Sequence, residues 1–312
     1  MNSQPLCSVV IPTYNRMNVL PRAVASVMAQ DEPAFELIIV DDGSTDGTRE
    51  WLATLTDPRI RVVLSTRNSG VSAARNSGLA AARAPVVSFL DSDDAYRPQR
   101  LSRTLAVMTN EPDVVCTLSS SIKQVWDEVH ESIMPDVKLG PAAFEWALYC
   151  DLIGVAGSSI TCRTAAARAI GGFAENMRTT EDREFLIRLA PQGAVRLLPD
   201  LLWEKFWTVN SESNDWKNAG AELLAYFSQL PDYTTRFRKL ARYMATKILV
   251  ADVRRLDFIS LFKDIKRFHH SGLLSGGPIR MIRDHREVRR YRRAMSNREA
   301  LATLTGAPAA WM

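Results

Sequence analysis

Cysteine is scarce in this chain: four residues in 312, Cys7, Cys116, Cys150 and Cys162, with none in C-x-x-C spacing. That excludes a disulfide-stapled scaffold and the clustered ligands of a structural zinc site. Cys7 and Cys116 lie in apolar runs, so the thiols read as small buried hydrophobes in a reducing compartment. No stretch approaches the roughly 18 apolar residues of a membrane span. Met1 to Ser8 lacks the apolar core of a secretory signal. The expectation is a cytoplasmic protein, free to rest peripherally on the inner face of the plasma membrane. Internal repeats and low-complexity tracts are also missing.

What is present is an ordinary globular composition, 46% hydrophobic and 24% charged. Its length suits one large α/β domain with an appended piece, or two small domains, and buries a core without staples. The net charge of +4 hides an asymmetry. From Arg236 to Ala300 there are 18 lysines and arginines against 6 acids, a net of +12, whereas the first 235 residues hold 21 against 29, a net of −8. An acidic body and a basic tail point to different tasks. The organisation expected is a first domain over 1–213 and a helical, basic region over 214–312.

The first 118 residues alternate strand and helix signals. Strand-like runs occupy Cys7 to Ile11, Phe35 to Val40, Ile60 to Leu64, Val86 to Leu90 and Val114 to Leu118. Between them, Val19, Leu20, Ala23, Val24 and Val27 recur at helical spacing, and Val71 to Arg83 is alanine-rich. Asp46 is placed to cap a short helix through Trp51, Leu52 and Leu55, and Pro98 suits the first turn of a helix reaching about Met108. This order predicts right-handed crossovers and a mostly parallel sheet. Further on, Ser158 to Cys162 reads as a strand, Gly171-Gly172-Phe173 as a turn, and the chain beyond Asn210 as mostly helical.

Ligands of such sheets bind beyond the carboxyl ends of the strands. The second strand runs into Asp41-Asp42-Gly43-Ser44 and the fourth into Asp91-Ser92-Asp93-Asp94. In a parallel sheet both clusters open on one edge. Carboxylates crowded there repel unless a positive charge neutralises them. A hard divalent cation with oxygen ligands does so and bridges to phosphates. Arg75 can fork onto phosphate or stack on a base, or simply be a solvated helix residue. Thr180 reads as an N-cap with Glu181 and Asp182 in the first turn, where the helix dipole lowers carboxylate pKa values.

Together these stretches resemble the family 2 glycosyltransferases: VVIPTYN (9–15), ELIIVDDGSTDGT (36–48), NSGVSAARNSGLAAA (68–82), VVSFLDSDD (86–94), GGF (171–173) and ED (181–182). They follow the family order from about Leu6 to Leu189. The resemblance implies a GT-A fold and an inverting enzyme that uses a nucleotide-sugar donor, with UDP the favoured nucleotide, in bacterial polysaccharide or cell-surface glycan synthesis. It also implies roles for particular residues. Pro12, Thr13 and Tyr14 form the first nucleotide-contacting loop; Asp41 reads the base; Arg75 lies near base and diphosphate; Asp91, with Ser92, meets ribose or sugar. Asp93 binds Mn²⁺ or Mg²⁺ with Asp94 close by. Asp182 is the general base, with Glu181 facing sugar or acceptor.

Two departures from the family pattern bear on function. The Q/RxxRW segment and membrane spans of processive members are lacking, so single transfers are expected. The histidine that many members carry after the base is lacking too, and Lys205 is its candidate substitute. Trp203, Phe206 and Trp207 are either acceptor-stacking or core aromatics. The arginine-rich tail, Arg280 to Arg293, fits a solvated face, an oligomer contact or an anionic membrane bearing a glycan or lipid-linked acceptor. Nucleic acid is not expected, because no recognition motif accompanies the charge. A haloacid-dehalogenase-type phosphatase is disfavoured because DSDDA follows the fourth strand and has Ala95 as its fifth residue. A dinucleotide oxidoreductase is disfavoured because PTYN replaces the glycine fingerprint. The remaining alternative is a degenerate transferase kept as a nucleotide-sugar-binding module or scaffold.

Overall fold

The computed structural model describes residues 4–125, 128–150, 152–177, 180–206, 224, 238–295, 300–301 and 303–304. By its internal contacts the chain forms two compact units, Met1–Phe144 with Gly154–Thr208, and Glu145–Ile153 with Val209–Met312. The expected boundary at 213/214 lies outside the described residues.

The first unit is built on one sheet. Its strands are β1 (Cys7–Thr13), β2 (Phe35–Asp41), β3 (Ile60–Leu64), β4 (Val86–Phe89), β5 (Ala95–Tyr96), β6 (Val114–Val125), β7 (Glu128–Ser132), β8 (Val137–Leu139), β9 (Ile160–Arg163) and β10 (Ala194–Phe206). The order is β3-β2-β1-β4-β9-β6-β10-β5, with β7 on β6 and β8 on β10. Pairing is parallel through β3, β2, β1 and β4. β9 is antiparallel to both β4 and β6, and β10 is parallel to β6. Six central strands therefore share one direction around β9, which gives the mostly parallel sheet that the alternation predicts. Every residue of β1 and β2 is buried, as a parallel strand covered on both faces requires.

The helices of this unit are α1 (Leu20–Met28), α2 (Thr48–Leu52), α3 (Val71–Ala81), α4 (Arg100–Asn110), α5 (Pro141–Tyr149, whose later residues group with the second unit), α6 (Thr164–Ala169) and α7 (Glu181–Leu189). Leu20, Ala23, Val24 and Val27 of α1 join Val9, Ile11, Leu37 and Ile39 in the core. α3 is rich in small residues because it lies close on β1: a Cβ on Gly78 would come within 2.3 Å of Val10 Cγ1. Arg100, fully buried at the start of α4, ties β6 and β9 together. It donates to Ser119 Oγ of β6 and, at 2.8 and 2.9 Å, to Ser159 O before β9 and Thr161 Oγ1 in it.

Several local expectations shift by a residue or more. α2 ends at Leu52, and its N-cap is Gly47 at φ 88°; Asp46 instead accepts from the amides of Thr48 and Met17. Pro98 precedes the Gln99 N-cap of α4 rather than entering the first turn. The strand expected from Ser158 begins at Ile160, after a single 3₁₀ turn over Gly157–Ser159.

In the second unit the described helices are α8 (Arg238–Arg254), α9 (Phe258–His270) and α10 (Gly277–Ala294). α8 packs on both of the others. A buried ion pair at 2.6 Å joins Arg242 of α8 to Asp284 of α10. The Trp146 indole donates to the Tyr291 hydroxyl at 3.0 Å. Asp257 caps α9 by accepting from the Ser260 amide at 3.0 Å. No helix among the described residues is long and apolar enough to cross a membrane. All four cysteines are buried thiols, as expected of small hydrophobes.

Candidate active site

The parallel strands deliver Thr13, Asp41 and Asp91 to one edge of the sheet. Thr13 and Asp41 are partners in the β1–β2 register, and Asp42 donates its amide to Thr13 O at 2.8 Å. Pro12 and Thr13 are buried in β1, while Tyr14 emerges with 42% of its surface exposed. The Thr13 hydroxyl is buried and has no hydrogen-bond partner, an orphan at the mouth of the edge. Asn15 adopts a left-handed φ of 52° and clips this loop to the next, donating its amide to Ser44 Oγ at 2.9 Å and accepting from the Thr45 amide at 2.7 Å.

Asp41 is fully buried. Its Oδ2 meets Arg49 Nε at 2.6 Å, and both oxygens face the Ser44 amide at 3.2–3.3 Å. Asp42 accepts from the amides of Ser69 and Gly70 at 2.9 and 2.7 Å, fixing the approach to α3. The first acidic cluster is thus bonded to the protein itself.

Arg75 organises the second. It is 2% exposed and donates Nη2 to Asp91 Oδ1 at 2.6 Å and Nη1 to Glu181 Oε1 at 2.7 Å. Burial opposes its charge, but the two carboxylates outweigh burial and hold the guanidinium ionised. The guanidinium carbon lies 5.1 Å from the ring centroid of Phe173, which stacks on Phe185 at 4.2 Å. The Gly171-Gly172-Phe173 turn is what presents that ring: Asn76 of α3 donates to Phe173 O at 2.9 Å and accepts from its amide at 2.7 Å. Arg75 is therefore an internal bridge between the end of β4 and the start of α7.

Asp91 and Asp93 are half-buried, and Ser92 and Asp94 are buried. Ser158 in the 3₁₀ turn holds this loop, donating to Asp94 Oδ2 at 2.6 Å and accepting from the Asp91 amide at 3.1 Å. Burial pushes the Asp94 carboxyl well above the usual carboxylate range, and the charges of Asp91 and Asp93 push the same way. The Ser158 hydrogen bond and the Lys205 ammonium pull it back. Arg22 donates to Asp93 O at 2.6 Å and lies 3.6 Å over the Phe206 ring.

At α7 one expectation needs correction. Thr180 is the N-cap, but it has a left-handed φ of 60° and its side chain makes no capping bond. The helix dipole does not hold Glu181 low: burial pushes its carboxyl up to about 7, against the lowering pull of Arg75, and neighbouring Asp182 adds to the rise. Asp182 is half-buried and accepts from the Arg183 amide at 2.7 Å. Trp203 is core: 3% exposed, it donates to Ser119 O at 3.2 Å. Trp207 lies outside the described residues.

Sequence reasoning missed Ser158, Gly157, Arg49 and Arg22. Arg49 directly follows the ELIIVDDGSTDGT stretch and was open to notice. Ser158 and Gly157 sit more than sixty positions from the loop they support, and nothing local marks them.

This fold, a mostly parallel sheet with an acidic strand edge, is similar to that of GT-A transferases. Residues 8–159 match the family model described as glycosyl transferase family 2. The chain is 45% identical over 109 residues to the putative teichuronic acid biosynthesis glycosyltransferase TuaG of Bacillus subtilis, a match covering 34% of this chain and 43% of that one. The chain thus spans less than half the length of this curated relative. In fold it is similar to S. aureus TarS 1-349 in complex with UDP-GlcNAc, with a TM-score of 0.60 at 19% identity over 92% of both chains. It is also similar to a mannosyltransferase of Pyrobaculum calidifontis in complex with GDP-Man and Mn²⁺, with a TM-score of 0.55 at 18% identity over 96% of this chain and 85% of that one.

Proposed function

We propose that this protein transfers a sugar, with inversion, from a nucleoside diphosphate to an acceptor hydroxyl in bacterial polysaccharide synthesis. The observation that carries the reading is the Arg75 bridge, which gathers Asp91 and Glu181, and with them Asp93 and Asp182, around the edge where Thr13 and Asp41 end.

Tyr14 and the orphan Thr13 hydroxyl are the groups offered to the nucleotide, and UDP is the favoured nucleotide. Asp41, tied to Arg49, can meet a base only by exchanging that partner. Asp91 meets ribose or sugar, and Ser92 supports it. Asp182 takes the proton from the acceptor oxygen as that oxygen forms its bond to the anomeric carbon and the bond to the diphosphate breaks. Glu181, pushed toward its neutral form, is suited to donate a hydrogen bond to sugar or acceptor.

A divalent cation fits the donor set. Asp93 and its neighbours are hard oxygen donors, and burial, joined by the charges of Asp91 and Asp93, raises the Asp94 carboxyl. No group of three or more metal-ligating side chains is preassembled among the described residues. Asp93 would hold Mn²⁺ or Mg²⁺, and the bound ion would supply charge neutralisation to the departing diphosphate. The acceptor we favour is a glycan or a lipid-linked chain presented at an anionic membrane to the basic C-terminal region.

The test is a thermal shift with UDP, GDP, CDP and dTDP, each with and without Mn²⁺. A ligand that binds only the folded state raises its melting temperature. Manganese-dependent stabilisation by one nucleotide supports the reading and names the donor class. No shift with any nucleotide overturns it.

A further inference from the structure

Helix α9 turns its apolar face outward. Phe258, Ile259, Phe262 and Ile265 are 63%, 71%, 70% and 42% exposed, whereas the face turned inward holds Ser260, Asp264 and Phe268. At 100° per residue the four exposed apolar residues fall within one arc of the helix. Lys263 borders that arc, Lys266 falls within it beside Ile259, and both are exposed. The next helix in the chain, α10, follows the same rule: Ile279 is 84% exposed and Ile282 51%, among exposed Arg283, Arg286 and Arg290. A water-soluble surface does not keep four large apolar side chains together without a use for them.

We propose that the outward face of α9 inserts into the headgroup layer of an anionic lipid bilayer, with Lys263, Lys266 and the arginines of α10 reaching the lipid phosphates. This deepens the membrane-contact part of the reading above by naming the helix and the lipid class. The chemistry matches an interfacial helix, whose apolar side chains enter the acyl boundary while basic side chains stretch their stems to the headgroups. A second copy of the chain fits the face less well, because self-association would bring the same positive charges together. Nucleic acid would neutralise the charge but gain nothing from Ile259 and Ile265.

The experiment is co-sedimentation of the full chain with phosphatidylcholine vesicles, with and without phosphatidylglycerol. The intact protein is expected to pellet only with phosphatidylglycerol and to be released by salt. The double substitution Phe258→Ser/Phe262→Ser should weaken binding roughly ten-fold or more for each phenylalanine. Lys263→Gln/Lys266→Gln should weaken it roughly five-fold for each lysine. All four positions are exposed, so circular dichroism should stay unchanged. Absence of vesicle binding by the intact protein, or binding unaffected by either double substitution, overturns the proposal. So does a fall in particle mass on light scattering with the phenylalanine variant, which would assign the face to a second copy. If substitutions among the α10 arginines abolish vesicle binding while the α9 variants retain it, membrane contact stands and the role of α9 falls. Binding is read without any donor, so none of these results touches the transferase assignment.

Discussion

Asp91 and Glu181 share one guanidinium: Arg75 donates to Asp91 Oδ1 at 2.6 Å and to Glu181 Oε1 at 2.7 Å. The carboxylates belong to the end of β4 and the first turn of α7, so one buried side chain sets the spacing between the loop after β4 and the helix that carries Asp182.

Arg75→Ala should cost about 3 kcal/mol of stability, because it leaves the buried Glu181 and half-buried Asp91 carboxylates without their partner. Arg75→Lys should fall between that variant and the intact protein, since a point-charge ammonium cannot fork to both acids. Urea denaturation measures both. Equal stability of the alanine variant and the intact protein would show that the bridge does not hold α7.

Glu181 makes stability depend on pH in an unusual direction. Its carboxyl is raised from 4.5 to about 7 in the folded protein, chiefly by burial. The folded state therefore binds more protons than the unfolded state across that interval. The contribution of Glu181 is full below about 4.5, declines as pH rises, and is lost above about 7. Glu181→Gln should flatten this part of the profile, which melting temperatures across the interval will reveal. An unchanged profile would assign the slope to another group.

The alternation of strands and helices was legible because β1 and β2 are buried throughout and so read as continuous apolar runs. The acid clusters were legible because parallel strands bring their ends to one edge. β10 was not: Arg196, Pro199, Asp200, Glu204 and Lys205 interrupt it, and its pairing to β6 carries register shifts that break any period-two pattern. The outer half of β6, from Ser119 on, is serine-rich and reads as loop. Long-range partners were also invisible. Arg75 reads as a helix residue until Asp91 and Glu181 close on it, and the helix-dipole argument for Glu181 failed because it ignored burial.

Asp182→Asn should reduce transfer roughly 10²–10⁴-fold, the range expected for loss of a general base. Asparagine keeps an oxygen for the Arg183 amide, now at 2.7 Å, so the first turn should persist. Donor binding, followed by titration calorimetry with a UDP-sugar and Mn²⁺, should be retained. Near-normal turnover in this variant would remove Asp182 from the base role.

Gly157 offers a test of the bridge that leaves every charged group in place. A Cβ there would lie 2.5 Å from Arg75 Nη2 and 3.1 Å from Asp91 Oδ1. The guanidinium is buried and bonded on both sides, so it has no free direction in which to yield. Gly157→Ala should therefore cost about 1–3 kcal/mol, as overpacking does, and should weaken donor binding by pushing Asp91 out of register with Asp93. Gly154→Ala is the matched control, because nothing lies within 4 Å of its added methyl. Loss of donor affinity in the first variant and not in the second would show that Arg75 holds Asp91 at its working position. Equal donor affinity in both variants would mean that the acidic loop keeps its geometry without the bridge.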